Sequence, residues 1–385
     1  MDNSTANNEL LRRQTLDLLR FPLALMVLSA HVWLPYIPGQ PASADNLPVF
    51  TIFNNLLAGF LRNQSVPIYF FISGYVFFYG VNMTRATYVR KLKNRIKTLF
   101  IPYIVWNALF VLVTVAAYSL PAIIPSLRDY MISGNSHLND FSLHNTLSYF
   151  INSEPLIISS ESPVITCPAN GPLWFLRELM TVVLCTPVIY VVLKRWGGKV
   201  VLALATTWFI LQFNDSDLKW LIYTDQLLSA LFFFSWGAYM SIKGKDMLTE
   251  FGRWFKASAI LYPALSLLYV AAIYINPEAC VVIKPFRIIA GLLFAYNISA
   301  WLLKTGRCTL SPFLASASFF IYVSHAVVIP YILRIVLHAL HPTSDAKAIA
   351  TFVITTVLTA LILLGTFGLL RRYAPRLLKV VAGRK

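Results

Sequence analysis

Arg20 and His31 lie in the first apolar segment of the chain, LDLLRFPLALMVLSAHVW. Their spacing of eleven residues corresponds to roughly three helical turns, which puts both side chains on one helix face about 16 Å apart along the axis. A guanidinium and an imidazole are costly to bury in an apolar segment that crosses a membrane. The pair therefore requires either structural partners or a function that offsets this cost.

The composition is that of a membrane protein. The 385 residues are 57% hydrophobic and only 12% charged, about half the charge of an average soluble domain. Segments near the length of a membrane span must be helical, because lipid offers no partner to unpaired peptide groups. The sequence predicts an all-α, polytopic membrane helix bundle with about ten transmembrane helices near 16–36, 64–82, 98–120, 172–193, 199–213, 220–241, 256–275, 285–303, 312–335 and 348–370.

The distribution of basic residues predicts the orientation. With ten crossings that start in the cytoplasm, most of the 32 Lys and Arg residues fall in cytoplasmic segments, as the positive-inside rule requires. Both termini are then cytoplasmic. The net charge of +16 is explained by topology and by attraction to anionic lipid, so it does not indicate a nucleic-acid partner.

The domain organisation is simple. We expect a polar cytoplasmic N-terminus at 1–15, one transmembrane domain at 16–370 with a large outer segment at about 121–171, and a basic cytoplasmic tail at 371–385. Cys167 and Cys280 are both predicted outside, where a disulfide between them is permitted but not determined. The sequence has no CxxC motif or Cys/His cluster, so no metal site is predicted.

Arg20 and His31 are the first candidates for chemistry. Asp17 precedes Arg20 by three residues and can pair with it on a helix. Near the cytoplasm, Arg20 can hold a phosphate group with two hydrogen bonds, and deeper in the membrane His31 can act as a general base or nucleophile. The alternative interpretation is that Arg20 extends to the lipid headgroups and His31 bonds to a neighbouring helix.

Several segments resemble the acyltransferase-3 family of integral-membrane acyltransferases, over roughly residues 16–370. Arg20 and His31 match its signature of an Arg, ten residues and a His. One departure is Phe21-Pro22, and Pro22 is expected in a first helical turn, where it costs no backbone bond. The other similar segments are PIYFFISGY (67–75), RKLKNRIKTLFIPYIVWN (90–107), PLWFLREL (172–179) and SASFFIYVSH (316–325).

The resemblance implies a coenzyme A site on the cytoplasmic side. The basic run at 85–97 can gather its phosphates, with Lys91, Arg95 and Lys97 as candidate ligands besides Arg20. Ser73, next to Gly74, can let the backbone approach the thioester or the pantetheine arm. The alternatives are that the basic run only sets the topology and that Ser73 and Gly74 only permit close helix packing.

Towards the outer surface, four residues are candidate ligands of the acceptor. Trp174, Arg177 and Glu178 can line an acceptor cavity, or the two charged residues can belong to a structural ion-pair network. His325 can orient His31 or the acceptor, or it can be a neutral, hydrogen-bonded imidazole buried in its helix.

The predicted function is acyl transfer. Acyl-CoA, with acetyl-CoA as the first candidate, is the donor substrate, and no permanently bound cofactor is expected. The resemblance implies that the acceptor is a hydroxyl of an extracytoplasmic or lipid-linked glycan and that the protein is a multi-pass protein of the bacterial plasma (inner) membrane. Some members of the family carry a fused hydrolase-like domain after the membrane bundle. We expect none here, so that either the bundle or a separate protein completes the transfer. The oligomeric state stays open.

Two other functions are compatible with the sequence. Ionisable residues on one helix face can line the path of a transporter or flippase for a glycan or lipid, although the chain lacks the matched pair of broken helices that many transporters show. An acyltransferase that acts on a lipid or small molecule would use the same chemistry on a different acceptor.

Overall fold

The structure, a computed structural model, describes residues 3–32, 34, 47–124, 150, 168–212 and 219–383. Within these ranges the regular structure is entirely helical and contains no strand, which confirms the predicted all-α class. Short π-helical and 3₁₀ turns precede two of the helices, at Ile96–Phe100 and Gly171–Leu173. The α-helices are α1 (Asn3–Ala30), α2 (Pro48–Phe60), α3 (Ser65–Phe78), α4 (Arg85–Arg95), α5 (Ile101–Ile123), α6 (Trp174–Leu184), α7 (Thr186–Trp196), α8 (Gly198–Leu211), α9 (Lys219–Ile242), α10 (Met247–Gly252), α11 (Phe255–Ile275), α12 (Ala279–Lys304), α13 (Pro312–Leu340), α14 (Asp345–Tyr373) and α15 (Pro375–Val381).

Every predicted transmembrane segment overlaps a helix, and a subset of these helices is long and apolar enough to cross a membrane alone. Five stretches of the described chain meet this condition. A sixth is obtained if α6 and α7, which meet at a bend of 64°, count as one broken span. The count of ten crossings and the position of the termini stay predictions. The five stretches are Arg85–Ala117, Phe255–Ile275, Ala279–Lys304, Pro312–Leu340 and Asp345–Tyr373.

The first helix is longer than the sequence predicts. It begins at Asn3, because polar residues before the apolar segment find a partner in Tyr79, which directly follows α3. The Arg12 guanidinium lies 4.5 Å from the centre of the Tyr79 ring, and the Tyr79 hydroxyl donates a hydrogen bond to Glu9 at 2.8 Å. Pro22 therefore lies inside the helix rather than in its first turn, and the expectation that it costs no backbone bond was wrong.

The described chain forms two compact units. The first comprises Met1–Met26, Asn54–Lys93 and Glu178–Ser318. Its tightest helix contact joins α3 and α9. A Cβ added to Gly74 would lie 2.0 Å from the Phe234 carbonyl oxygen, and one added to Gly237 would lie 2.0 Å from the Phe71 carbonyl oxygen. Each glycine thus lets the backbone of the other helix approach, as small residues do in membrane helix pairs.

The second unit comprises Val27–Phe53, Asn94–Arg177 and Phe319–Lys385. In this unit the segment predicted as a basic tail forms α15. The Trp106 indole on α5 donates to the Val381 carbonyl at 2.7 Å. Gly383 then turns with φ of 57°, and a Cβ there would lie 2.3 Å from the Thr98 carbonyl oxygen. The end of the described chain is therefore fixed against α5.

Most of the predicted outer segment at 121–171 lies outside the described residues, and so does Cys167. Cys280 lies near the start of α12, with its thiol 3.6 Å from the Tyr269 carbonyl oxygen. The disulfide between Cys167 and Cys280 therefore stays a prediction.

Candidate active site

His31 follows the last residue of α1 and is held by that helix. Its backbone N–H donates to the Leu28 carbonyl at 3.1 Å, and its ring Nδ1 lies 2.8 Å from the Val27 carbonyl oxygen. A carbonyl oxygen can only accept a hydrogen bond, so the proton of the neutral ring lies on Nδ1. The lone pair of the neutral ring is then at Nε2, the form that a base or a nucleophile requires.

His325 lies beside His31 in the same unit. The two ring centroids are 5.0 Å apart and the rings are tilted by 54°. His325 is completely buried (0% exposed) in α13, and its Nδ1 lies 2.6 Å from the Tyr322 carbonyl oxygen. The structure thus brings together two histidines 294 positions apart in the sequence, each with its Nδ1 engaged by the backbone of its own helix.

A polar network holds the His325 helix in place. The Tyr322 hydroxyl donates to the Pro172 carbonyl oxygen, and the Tyr322 ring meets Phe175 edge to face, with centroids 5.6 Å apart. Asn170, also buried, donates its side-chain amide to the Val323 carbonyl at 3.3 Å. These contacts fix the turn of α13 that carries the Tyr322 carbonyl and therefore the orientation of His325.

Asn107 extends this network to α5. Its side-chain oxygen accepts the backbone N–H of Asn170 at 3.0 Å, and its amide donates to the Tyr103 carbonyl at 2.9 Å. Sequence reasoning missed Asn107, Asn170 and Tyr322 as individual residues. A signal existed for Tyr322, because its spacing of three residues from His325 puts both on adjacent turns of one helix face.

The predicted acceptor ligands differ in exposure. Trp174 and Arg177 are half-buried at the start of α6 and belong to the unit of His31 and His325. Glu178 is buried, with 6% of its surface exposed, and belongs to the other unit. Both Arg177 and Glu178 have interaction partners. Among the described residues, no group of three or more His, Cys, Asp or Glu side chains could hold a metal ion.

Arg20 is in the first unit and is paired as predicted. Its guanidinium lies 3.2 Å from the Asp17 carboxylate, and its side chain is 40% exposed. The Tyr69 hydroxyl on α3 donates to the Arg20 carbonyl at 2.7 Å. The ion pair is therefore confirmed, and this part of α1 is fixed against α3 while part of the Arg20 side chain stays accessible.

The other predicted donor ligands lie on α3 and along the basic run. Lys91 donates to the Phe77 carbonyl oxygen, and its ammonium lies 5.0 Å from the centre of the Phe77 ring. Arg95 is half-buried and Lys97 is exposed, and Ser73 is half-buried next to the close-packed Gly74. Lys91 therefore has a structural role in its own unit, whereas Lys97 is accessible at the surface.

Arg287 is a buried cation that the sequence did not single out. It is completely buried in α12. Its guanidinium donates to the carbonyl oxygens of Ala58, Gly59 and Arg62, at and beyond the C-terminal end of α2, and lies over the Tyr269 ring. Carbonyls at a helix C-terminus attract a cation, so Arg287 has the contacts of a structural residue.

These features define a helical membrane protein with a histidine pair in one unit, and comparisons with known proteins agree with that class. The sequence profile of the acyltransferase-3 family, described as an acyltransferase domain, matches residues 13–371. The protein belongs to this family and is a multi-pass membrane acyltransferase.

The chain is also similar to the succinoglycan biosynthesis protein ExoH of Rhizobium meliloti. The two are 27% identical over 380 residues, which cover 96% of this chain and 92% of the relative. No solved structure matches the chain.

Proposed function

We propose that the protein transfers an acyl group, acetyl as the first candidate, from cytoplasmic acyl-CoA to a hydroxyl of an extracytoplasmic or lipid-linked glycan at the bacterial plasma membrane. The family supports acyl transfer, and the name of the relative, a succinoglycan biosynthesis protein, supports a glycan acceptor. The observation that carries the proposal is the state of His31, whose Nδ1 is bonded to the Val27 carbonyl so that Nε2 can take a proton or an acyl group.

In the first form of the mechanism, His31 is a general base. Its Nε2 removes the proton from the acceptor hydroxyl while the hydroxyl oxygen forms a bond to the thioester carbon. The carbon–sulfur bond then breaks, and its electron pair leaves with the sulfur of coenzyme A. The proton on His31 returns to the thiolate, so the products are the ester and free coenzyme A.

In the second form, His31 is the nucleophile. Nε2 attacks the thioester carbon, coenzyme A leaves as the thiolate, and the acyl group stays on the imidazole. The acceptor hydroxyl then attacks the acyl-imidazole, the carbon–nitrogen bond breaks, and the hydroxyl proton goes to the thiolate or to solvent. Both forms use the same nitrogen atom and differ in whether the acyl group is ever bound to the protein.

We assign donor binding to Arg20, Ser73, Lys91, Arg95 and Lys97. The partly exposed guanidinium of Arg20 can form two parallel hydrogen bonds to a phosphate. Lys97 is exposed and can attract the coenzyme electrostatically. Lys91 is the weakest ligand of the set, because its ammonium already contacts the carbonyl and the ring of Phe77.

We assign acceptor binding to Trp174, Arg177 and Glu178, and a supporting role beside His31 to His325. Trp174 and Arg177 are half-buried, so each keeps part of its surface for a ligand. Glu178 and His325 are buried and would act by fixing neighbouring groups.

Radiolabelled acetyl-CoA tests this proposal. Purified full-length protein in lipid nanodiscs is incubated with the label and with base-treated polysaccharides that include succinoglycan, and His31→Ala is compared with wild type. His338→Ala, on α13, is the matched control. We expect the wild type and the control to transfer label and His31→Ala to transfer at most about a thousandth as much. Transfer that His31→Ala leaves unchanged would refute the role of His31.

Two further measurements separate the alternatives. Label that stays on the wild-type protein without acceptor, and not on His31→Ala, would select the nucleophilic form, because a general base forms no acyl-enzyme. If no acyl-CoA is consumed but a labelled glycan crosses the membrane of reconstituted vesicles, the protein is a transporter and the proposal is wrong.

A further inference from the structure

Among the described residues, Nε2 of the His325 ring is a buried polar atom with no hydrogen-bond partner. His325 is completely buried, and in the described part of the chain its Nε2 has no hydrogen-bond partner. The other nitrogen, Nδ1, lies 2.6 Å from the Tyr322 carbonyl oxygen and therefore carries the proton of the neutral ring. Nε2 is thus an acceptor that lacks a donor, and such buried atoms need an explanation.

The nearest ring that can supply a donor is His31. Its centroid is 5.0 Å from that of His325, close enough for a nitrogen of one ring to reach hydrogen-bonding distance of the other. In the neutral state both Nε2 atoms are acceptors and cannot bond to each other. When His31 gains a proton at Nε2 it becomes a donor there, while its Nδ1–H still donates to the Val27 carbonyl.

We propose that His325 is a positioning residue that accepts a hydrogen bond at Nε2 from the protonated ring of His31. The inference rests on the proposed function in its general-base form. The proton moves from the acceptor hydroxyl to Nε2 of His31, is held there by the hydrogen bond to His325, and then goes to the thiolate of coenzyme A. His325 stays neutral, because a full charge on a completely buried ring is costly.

The surroundings of His325 suit this task. Its Nδ1 is fixed by the Tyr322 carbonyl, and Tyr322 itself is fixed through its hydroxyl to the Pro172 carbonyl oxygen. The titratable rings that the structure places beside His325 are His31 and, at a centroid distance of 6.1 Å, Tyr322. Because the ring cannot turn without breaking its own backbone contact, Nε2 keeps one direction as His31 changes its protonation state.

Two substitutions at His325 separate this role from simple packing. His325→Leu replaces the imidazole with an apolar side chain and so removes the Nε2 acceptor. The side-chain carbonyl of His325→Gln can still accept a hydrogen bond. His338→Leu, on α13 outside this cluster, is the matched control. We expect His325→Leu to lower kcat about 10- to 100-fold, the effect of losing a hydrogen bond to a charged group. We expect the acceptor KM to stay within about threefold, and His325→Gln to recover part of kcat.

Three results would contradict this role of His325. They are a folded His325→Leu variant with the wild-type kcat, a folded His325→Leu variant that differs from wild type only in KM, and a His325→Gln variant whose kcat is as low as that of His325→Leu. Folding is checked by thermal unfolding of each variant in detergent.

Histidine NMR in acid supplies a readout without turnover, because a proton shared between two imidazoles is strongly deshielded. That signal must be lost in both His31→Ala and His325→Leu. If it is present while no acyl transfer occurs, the proposed function fails and the histidine contact stands; if transfer occurs without the signal, the inference fails.

Discussion

The contact between α3 and α9 and the surroundings of His325 solve opposite problems in a membrane protein. At the first, Gly74 and Gly237 let two backbones meet closely enough that no additional Cβ would fit. At the second, buried Asn and His side chains are held by backbone carbonyls, and Nε2 of His325 and the side-chain oxygen of Asn170 lack described partners. Close packing minimises the energy of a helix pair, whereas buried polar atoms raise it, so the second region carries a cost that the first region avoids.

Each region includes a sequence segment that resembles the family. PIYFFISGY contains Gly74, and SASFFIYVSH contains His325. A shared segment can therefore reflect packing in one place and chemistry in another. The two regions differ in whether each buried polar atom has a hydrogen-bond partner among the described residues.

The largest expected effect is at His31. His31→Ala removes the only group proposed to take the proton or the acyl group, so we expect kcat/KM for acetyl transfer to fall about 10³-fold, with little change in the thermal unfolding temperature. Label transfer and thermal unfolding are measured on the same preparation. A large loss of stability with unchanged specific activity would assign His31 to packing and remove the contrast between the two regions.

The next largest effect is expected at the glycine contact. Gly237→Ala forces a methyl group against the Phe71 carbonyl, so we expect a loss of about 1–3 kcal/mol or more in the free energy of unfolding. Gly365→Ala, where nothing lies within 4 Å of the added Cβ, is the control and should be neutral or slightly stabilising. Denaturant titration in mixed micelles measures both. Equal stability of the two variants would show that α3 and α9 do not pack this closely.

The polar network should show a smaller change in stability. Asn107→Leu removes the acceptor of the buried Asn170 N–H, so we expect a loss of about 1–2 kcal/mol. Thr114→Val, also on α5, removes a hydroxyl that bonds only within its own helix, to Phe110, and should cost less than about 0.5 kcal/mol. The same denaturant titration compares them. If Thr114→Val costs as much as Asn107→Leu, the network does not support α13.

The smallest effect is expected in the basic run. Lys97→Ala should raise the KM for acetyl-CoA about two- to fivefold, and the difference from wild type should shrink as salt is added, because the attraction of an exposed charge is screened. Kinetics at two ionic strengths provide the test. Lys91→Ala should instead lower stability, since its contacts with Phe77 are within the protein. A salt-independent change in KM at Lys97 would indicate direct contact with the donor.

Local sequence rules predicted the helices and one ion pair. Long apolar segments specify helices because lipid leaves no alternative, and the spacing of three residues between Asp17 and Arg20 specified their pairing. The same rules misplaced the start of α1, because its polar first turns are held by contacts with Tyr79, the residue after α3. A local pattern does not contain such a partner.

Tertiary contacts explain what the sequence could not predict about the site. His31 and His325 were both candidates, but their ring contact depends on how distant helices pack. Asn170 gave no signal because its side chain bonds to the backbone of α13, which any residue type presents. The burial of Arg287 also depends on a distant element, because carbonyls near the end of α2 compensate its charge.

The position of the thioester relative to His31 tests the central claim most directly. An experimental structure of the full-length protein in nanodiscs with a non-reactive acetyl-CoA analogue would measure it. We predict that the carbon in place of the thioester carbonyl lies within about 4 Å of His31 Nε2, close to attack distance, with the coenzyme phosphates near Arg20 on the cytoplasmic side. A coenzyme bound from the outer face, or a thioester carbon that no His31 rotamer can reach, would contradict the account.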